Sequence, residues 1–546
     1  MNREQMPIET MRCTQPTVQR RTTHILISLS ASLLAMLFLI AGVHAAGSLP
    51  ATAAPRQGQG APGDERLITA AHNRGGDHDN ELHGQLALPV TGFTGEWVLM
   101  IEETEQVSVV LTATTSVAKF KNQLPLPGDW LEVEGSYLPD GRFAARKVRP
   151  DAFEANQVIV RLKPTDHPEL VAQSLAETYE MTVSAMLPSA NIYLFSTKDD
   201  EEIEVDKLND DKDSPVLWAE INWVSRAPTG NPYRTWKWGV AEDSGYANQH
   251  AFEQVNLAPA LKKVTGAGVI VAILDTGIDL EHPAFDGSLI LLANSNMISD
   301  TAAPDDIGPG LAWGHGTHVA GIVHGIAPNA KLMPIRILDN QGRGNTFLLA
   351  YAIELAVTNG ADVINLSLGA DCGSRILREA VASAVSQGVV LVAAAGNEGS
   401  PARQCPASLP GVLAVAAVDE NRQRAEWSNY GEWVSLAAPG VGITSTFPVG
   451  LGAESNSTPG YASWSGTSMS TPFVAGAAAL AVEEATIAPN ALRADEMLVT
   501  YGDDISFFNP SPYAVGRHLN IGAAVDGLPT EPEPTAFTLF LPAVTR

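Results

Sequence analysis

From about Gly266 onward, apolar residues come in short unbroken runs: Val269–Leu274, Leu332–Leu338, Val363–Leu368, Val389–Ala395 and Val412–Val418. A strand with one face in water alternates apolar and polar positions, so unbroken runs of this length predict strands buried on both faces, as in a parallel sheet. Helical stretches separate several of them, including Phe347–Thr358 and Ser374–Gln387. This alternation predicts an α/β domain over residues 228–525, a doubly wound parallel sheet with right-handed crossovers. Ligands of such sheets bind beyond the carboxyl ends of the strands.

Upstream the pattern is different. Residues 155–227 carry a strand-like Val158–Leu162, a helical stretch near Leu170–Tyr179, then Ala190–Phe195 and Trp218–Val224, which predicts a small α+β domain. The acid-crowded stretch from Asp199 to Asp213 is read as a solvated loop. Residues 67–150 hold short apolar or alternating runs, Trp97–Ile101 and Val107–Leu111 among them. The turn signals Pro127-Gly128-Asp129 and Pro139-Asp140-Gly141 lie between such runs, so this stretch predicts a small all-β module, a five-stranded barrel. Residues 47–66, rich in Ala, Pro, Gly and Gln, read as a linker. Residues 526–546 read as a Pro-rich linker and an apolar tail too short to cross a bilayer; a sorting or anchoring tag and a disordered end both remain open for it.

At 546 residues the chain has room for three or four domains. Its formal net charge of −27 argues against nucleic acid or an acidic membrane face as partner, since both would repel it. Arg12, Arg20 and Arg21 precede an apolar run from Ile25 to Val43, and Val43-His44-Ala45 offers small residues to a signal peptidase. Residues 1–46 are therefore read as the signal peptide of a secreted protein, with an uncleaved membrane anchor as the alternative because the run is long. Export removes Cys13 and leaves Cys372 and Cys405, an even number in an oxidising compartment. One disulfide is expected, and two buried thiols are the alternative.

Three segments carry candidate chemistry. The run Val269–Leu274 leads into Asp275-Thr-Gly-Ile-Asp279, where an acid just past a buried strand must be compensated. Standing alone, that Asp would be read as capping a turn. Gly314-His315-Gly-Thr317-His318-Val-Ala-Gly321 begins at a Gly-rich turn and becomes a helix, with His315 at its mouth, Thr317 as a capping group and His318 as a packed structural histidine. Ser465-Gly-Thr-Ser468-Met-Ser-Thr-Pro472 opens a thin helix of Ala and Gly whose N-terminus offers free N–H groups and partial positive charge. Pro472 is taken to fall in the first turn, where it is tolerated.

Asp-Thr-Gly, His-Gly-Thr-His-Val-Ala-Gly and Gly-Thr-Ser-Met-Ser-Thr-Pro, in that order, resemble the three signature blocks of the subtilisin family, over roughly Val255 to Ala524. The order Asp, His, Ser sets this family apart from the chymotrypsin and α/β-hydrolase orders. The resemblance implies a subtilisin-like fold and a secreted serine endopeptidase acting on protein or peptide substrates. Ser468 would be the nucleophile, His315 its general base and later acid, and Asp275 the group that orients the imidazole. Ala393-Ala-Ala-Gly396-Asn397-Glu-Gly399 resembles the family's oxyanion block, with Asn397 acting beside the Ser468 N–H.

By the same resemblance, residues 155–227 are similar to the family's propeptide, an intramolecular chaperone and inhibitor. The chain would then be a zymogen that processes itself within about 227–254; an unrelated α+β spacer is the alternative. Residues 67–150 resemble the small oligonucleotide/oligosaccharide-barrel-like modules of secreted bacterial proteins. Gly342, Arg343, Gly344, Ser367, Leu368 and Gly369 would pair with the substrate backbone. The specificity pocket would lie between Ser367–Gly369 and Ala394, Ala395 and Gly396. No acid on these segments calls for a basic substrate residue, so an apolar or broad preference is expected. Cys372 and Cys405 follow the two pocket walls, so a bridge between them would brace the site.

Two family features are missing. Only Ile322–Ile326 separate Gly321 from Ala327-Pro328, so the loop that holds the family's tight calcium is absent, and Ala284 stands where an aspartate is common. No cofactor is expected for the chemistry and no metal ligands are assigned, while structural calcium elsewhere stays open. Two rival readings are an inactive, protease-shaped binding protein, disfavoured because all four chemical positions are filled, and a principal role for the 67–150 module in binding glycan or peptide. A metallopeptidase is disfavoured because no His-Glu-x-x-His segment occurs.

Overall fold

The computed structural model describes residues 81–100, 106–117, 124–125, 130–227, 243–299, 303–308, 310–448, 460–487 and 493–526. The leader, the 47–66 linker, the start of the β module, the Pro127-Gly128-Asp129 turn and the tail from 527 lie outside the described residues.

The first body is all β. Strands β1 (Glu81–Leu86), β2 (Gly95–Met100), β3 (Gln106–Leu111), β4 (Ser116–Val117), β5 (Trp130–Tyr137) and β6 (Phe143–Pro150) run in the order β3-β2-β1-β5-β6-β4. An added β3–β6 pairing closes the sheet on itself. Closure follows from the alternation of β3 and its neighbours: one face supplies a small core of Trp97, Leu99, Val109, Leu131, Val133 and Phe143, and the other faces water.

The second body is α+β: β7 (Phe153–Leu162), α1 (Pro168–Thr178), β8 (Thr182–Leu187), β9 (Ile192–Ser196), α2 (Glu201–Asp210) and β10 (Val216–Arg226), with sheet order β10-β7-β9-β8. The acidic stretch read as a loop holds helix α2. Its acids are concentrated where a helix accepts them: the Asp200 side chain takes the N–H groups of Glu202 and Ile203, and Glu201, Glu202 and Glu204 fill the positive first turn. Leu208 is its buried anchor. Buried Arg149 joins the two bodies, donating to both oxygens of Glu132 at 2.9 Å and to Glu201 at 3.4 Å.

The third body contains seven parallel strands in the order β12-β11-β14-β16-β17-β18-β21. They are β11 (Ile270–Asp275), β12 (Lys331–Arg336), β14 (Val363–Leu366), β16 (Val390–Ala394), β17 (Val412–Val418), β18 (Leu436–Pro439) and β21 (Arg517–His518). Helices α3 (His315–Ile326) and α6 (Thr467–Ile487) pack in one buried cluster, and α4 (Thr346–Thr358) and α5 (Arg375–Ser386) in the other, so both faces of the sheet are covered. That double coverage is why the runs are continuous rather than alternating. The first strand, β11, lies between β12 and β14, so chain direction across the sheet reverses beside it. A two-stranded ribbon, β19 (Ile443–Phe447) with β20 (Gly460–Trp464), lies against α3.

Among the described residues no helix is long and apolar enough to cross a membrane.

Candidate active site

Asp275 is the last residue of β11, at the carboxyl end of the sheet beside its reversal point. Gly277 turns the chain away at φ +107°, and a Cβ there would lie 2.6 Å from the Asp305 carbonyl oxygen. Asp275 is fully buried, and its Oδ1 accepts from the Thr276 N–H at 2.7 Å and meets His315 Nδ1 at 2.6 Å. A carboxylate only accepts, so Nδ1 is the donor of this hydrogen bond and Nε2 faces away from it. Among the described residues, buried His315 Nε2 has no hydrogen-bond partner.

His315 is the first residue of α3, and its placement depends on a residue the sequence reading did not single out. Asp306 Oδ1 accepts from the Gly314 N–H at 3.2 Å and the Thr276 hydroxyl at 3.3 Å; Oδ2 accepts from the Thr317 N–H at 3.3 Å and its hydroxyl at 2.7 Å. One carboxylate thus ties the loop after Asp275 to the start of the helix that carries His315. The helix is capped by Asp306, not by Thr317 as expected, because the Thr317 hydroxyl is spent on Asp306 and on the Asp279 N–H. Burial pushes Asp306 up to about 7, helped by the nearby Asp275 charge and opposed by its donors. His318 stacks on Trp464 at 4.9 Å, and its Nε2 meets the Ala462 carbonyl. Burial drives its pKa down to about 3, so it is a neutral interior group.

Ser468 is the second residue of α6, buried, and its hydroxyl donates to the Ser367 carbonyl at 3.4 Å. The structure therefore makes the Asp275–His315 link and does not make the Ser468–His315 hydrogen bond. Pro472 lies in the second turn of α6, not the first. It removes the N–H that would bond to the carbonyl four residues back, which is that of Ser468. The Ser367 hydroxyl replaces it, donating to Ser468 O at 3.0 Å.

Asn397 Oδ1 accepts from the N–H of Thr467 at 3.0 Å and from its hydroxyl at 2.9 Å, which fixes which end of the amide is oxygen. Its Nδ2 and the Ser468 N–H converge: a Cβ built on Gly466 would lie 3.6 Å from one and 3.7 Å from the other. Asn429, not foreseen from sequence, holds the loop. It donates to Ala395 O and accepts from the N–H groups of Glu398 and Ser400.

The segments expected to bind substrate are already paired. Strand β10 lies between β13 (Arg343–Asn345) and β15 (Gly369–Ala370), antiparallel to both. Arg226 is opposite Arg343 and Gly369, Ser225 is opposite Gly344 and Ala370, and the Ala227 N–H donates to Gly342 O at 2.9 Å. Ser367 and Leu368 are buried, as are Ala394 and Ala395. Gln404, also unforeseen, stands between the expected pocket walls, with Oε1 3.2 Å from a Cβ on Gly369 and Cγ 3.0 Å from one on Gly396. Cys372 and Cys405 are disulfide-bonded, with Cα atoms 5.2 Å apart. Among the described residues no group of three or more His, Cys, Asp or Glu side chains forms a metal cluster.

A buried Asp–His pair at the end of a parallel sheet, with a serine at a neighbouring helix N-terminus, gives the molecule the layout of a serine-type endopeptidase. Residues 266–500 match the model of the subtilase family. The chain is 39% identical to a subtilisin of Bacillus pumilus over 49% of this chain and 95% of that one. It is 43% identical to a thermophilic serine proteinase of Bacillus sp. (strain AK1), over 39% of this chain and 52% of that protein, about half its length. Among solved structures, fervidolysin from Fervidobacterium pennivorans, a keratinolytic enzyme related to subtilisin, matches with a TM-score of 0.56 and 25% identity. That match covers 70% of this chain and 62% of the fervidolysin chain. The chain belongs to the subtilase family.

Proposed function

We propose that the chain is a secreted serine endopeptidase, made as a zymogen, that hydrolyses protein and peptide substrates through Asp275, His315 and Ser468 without a cofactor. The observation that carries this reading is the buried Asp275–His315 pair, joined at 2.6 Å at the carboxyl end of the sheet. In the reaction Ser468 leaves its long bond to Ser367 and gives its proton to Nε2 as it attacks the scissile carbonyl. Asp275 stabilises the imidazolium, and His315 passes the proton to the leaving amine. Asn397 Nδ2 and the Ser468 N–H receive the developing oxyanion. Water then repeats the cycle on the acyl-enzyme.

Residues 155–227 are read as the inhibitor. Support comes from the seating of β10, which fills the slot between β13 and β15 that a substrate strand would take. The same strand caps two helices of the peptidase body: Asn222 accepts from Phe347 N–H at α4, and Glu220 accepts from Arg375 and Ile376 N–H at α5. Processing within 227–254 would release it. An apolar or broad preference in the main pocket remains the reading, since neither Ser367–Gly369 nor Ala394–Gly396 contains a charged residue.

N-terminal sequencing of the secreted wild type beside Ser468→Ala tests this. Self-processing requires trimmed ends in the wild type alone. Identical ends in both, with no labelling of Ser468 by a serine-hydrolase inhibitor, would overturn it.

A further inference from the structure

The wall of the slot carries a charge, that of Arg343, which two carboxylates beside the strand now seated there neutralise. Arg343 on β13 lies directly opposite Arg226 on β10, so the two side chains share a face of the sheet. Like charges so placed repel, and burial together with Arg343 lowers the pKa of Arg226. The pair is tolerated because Asp151 sits between them: Oδ2 accepts from Arg226, and Oδ1 accepts from Arg343 at 3.1 Å. Glu154 Oε1 accepts from Arg343 at 2.7 Å. Both carboxylates precede the processing region and belong to the part that leaves. Among the described residues of the peptidase body, the acid acting on Arg343 is Asp339, whose Oδ1 is engaged by the N–H groups of Gln341 and Arg343 in its own turn.

We infer that Arg343 is a specificity-determining residue that selects substrates with an acidic side chain at the position now held by Arg226, on the amino-terminal side of the scissile bond. This rests on reading β10 as a stand-in for substrate. A substrate Asp or Glu opposite Arg343 would supply the carboxylate that Asp151 and Glu154 supply in the precursor. A charge-assisted hydrogen bond at this site is worth roughly a 10-fold gain in kcat/KM over the uncharged amide isostere. The selectivity is separate from that of the main pocket, because Arg343 stands on the opposite wall from Gly369.

The test uses the self-processed full chain and internally quenched peptides, with Glu, Gln and Lys scanned in turn through the four residues before the scissile bond. One position is expected to favour Glu over Gln by roughly 10-fold. The Glu/Gln ratio should fall toward unity in Arg343→Gln, persist in part in Arg343→Lys, and give way to a Lys preference in Arg343→Glu. A wild type indifferent to Glu at every position overturns the inference even if no variant folds, and so does a preference unchanged in Arg343→Gln. Failure to cleave any peptide or protein would instead sink the peptidase reading, and this inference with it.

Discussion

The Ser367 hydroxyl donates to the Ser468 carbonyl oxygen at 3.0 Å, the acceptor that Pro472 deprives of its helical N–H. A slot wall and the candidate nucleophile are thereby fastened together. Ser367→Ala should lower stability by about 1–2 kcal/mol and reduce kcat, because it leaves a buried carbonyl unmet. In a Pro472→Ala background the restored N–H can reach that carbonyl, so the same substitution should cost less. Chemical denaturation of the four proteins of this cycle measures the coupling; strict additivity would show that the hydroxyl and the missing amide are unrelated.

Asp306 gives a pH signature. Its folded pKa of about 7 lies above the ordinary 3.8, so the folded state holds the proton more tightly than the unfolded chain. Between those values unfolding releases a proton, and stability falls as pH rises, levelling off above about 7. Asp306→Asn should remove that component. The wild-type minus variant difference in Tm should then decline from pH 4 to pH 7. A constant difference would mean that the Thr317, Gly314 and Thr276 donors keep Asp306 ionised throughout.

On the proposed zymogen reading, Asp151 is the pin that holds the amino-terminal part in place. With Ser468→Ala to prevent processing, Asp151→Ala leaves Arg226 and Arg343 facing each other without their shared carboxylate. Removing one partner from a buried ion cluster costs about 3–5 kcal/mol, so the urea midpoint should drop accordingly. In otherwise wild-type chain, release of the amino-terminal part should be faster on a gel time course. An unchanged midpoint and time course would remove Asp151 from the latch.

The Cys372–Cys405 bridge spans 33 residues and joins the segments after the two expected pocket walls. Closing a loop of this size stabilises by about 3–4 kcal/mol through the unfolded state. Cys372→Ser with Cys405→Ser should lower Tm and raise KM more than it lowers kcat, since Gly369 and Gln404 lose their brace. Equal KM in the two proteins would confine the bridge to stability.

Legibility in the sequence followed the strength of local pattern. The doubly buried strands from Ile270 to Val418 were plain, because burial on both faces leaves no room for polar alternation. Asp275, His315, Ser468 and Asn397 are singled out by motif blocks, and the structure sets Asp275 against His315 and Asn397 beside Thr467. Helix α2 was hidden because acids crowd both loops and helix N-termini, and only Asp200 with Leu208 distinguishes the two. Pro472 stands one turn deeper in α6 than the sequence implies, since a helix start is blurred when Gly466 and Thr467 precede it. Asp306, Asn429 and Gln404 stand in no motif. They act through contacts with residues near or far in the chain, and short-range spacing carries no trace of them.

The way β10 is held also bears on which proteins can be attacked. Lifting one strand out of the middle of a sheet bares two parallel rails of amide groups, at β13 and at β15, with a gap one chain wide between them. Nothing helical and nothing already paired fits such a gap. A globular target would first have to surrender a loop in fully drawn-out form, so denatured protein and loosely tethered segments should be consumed long before compact domains.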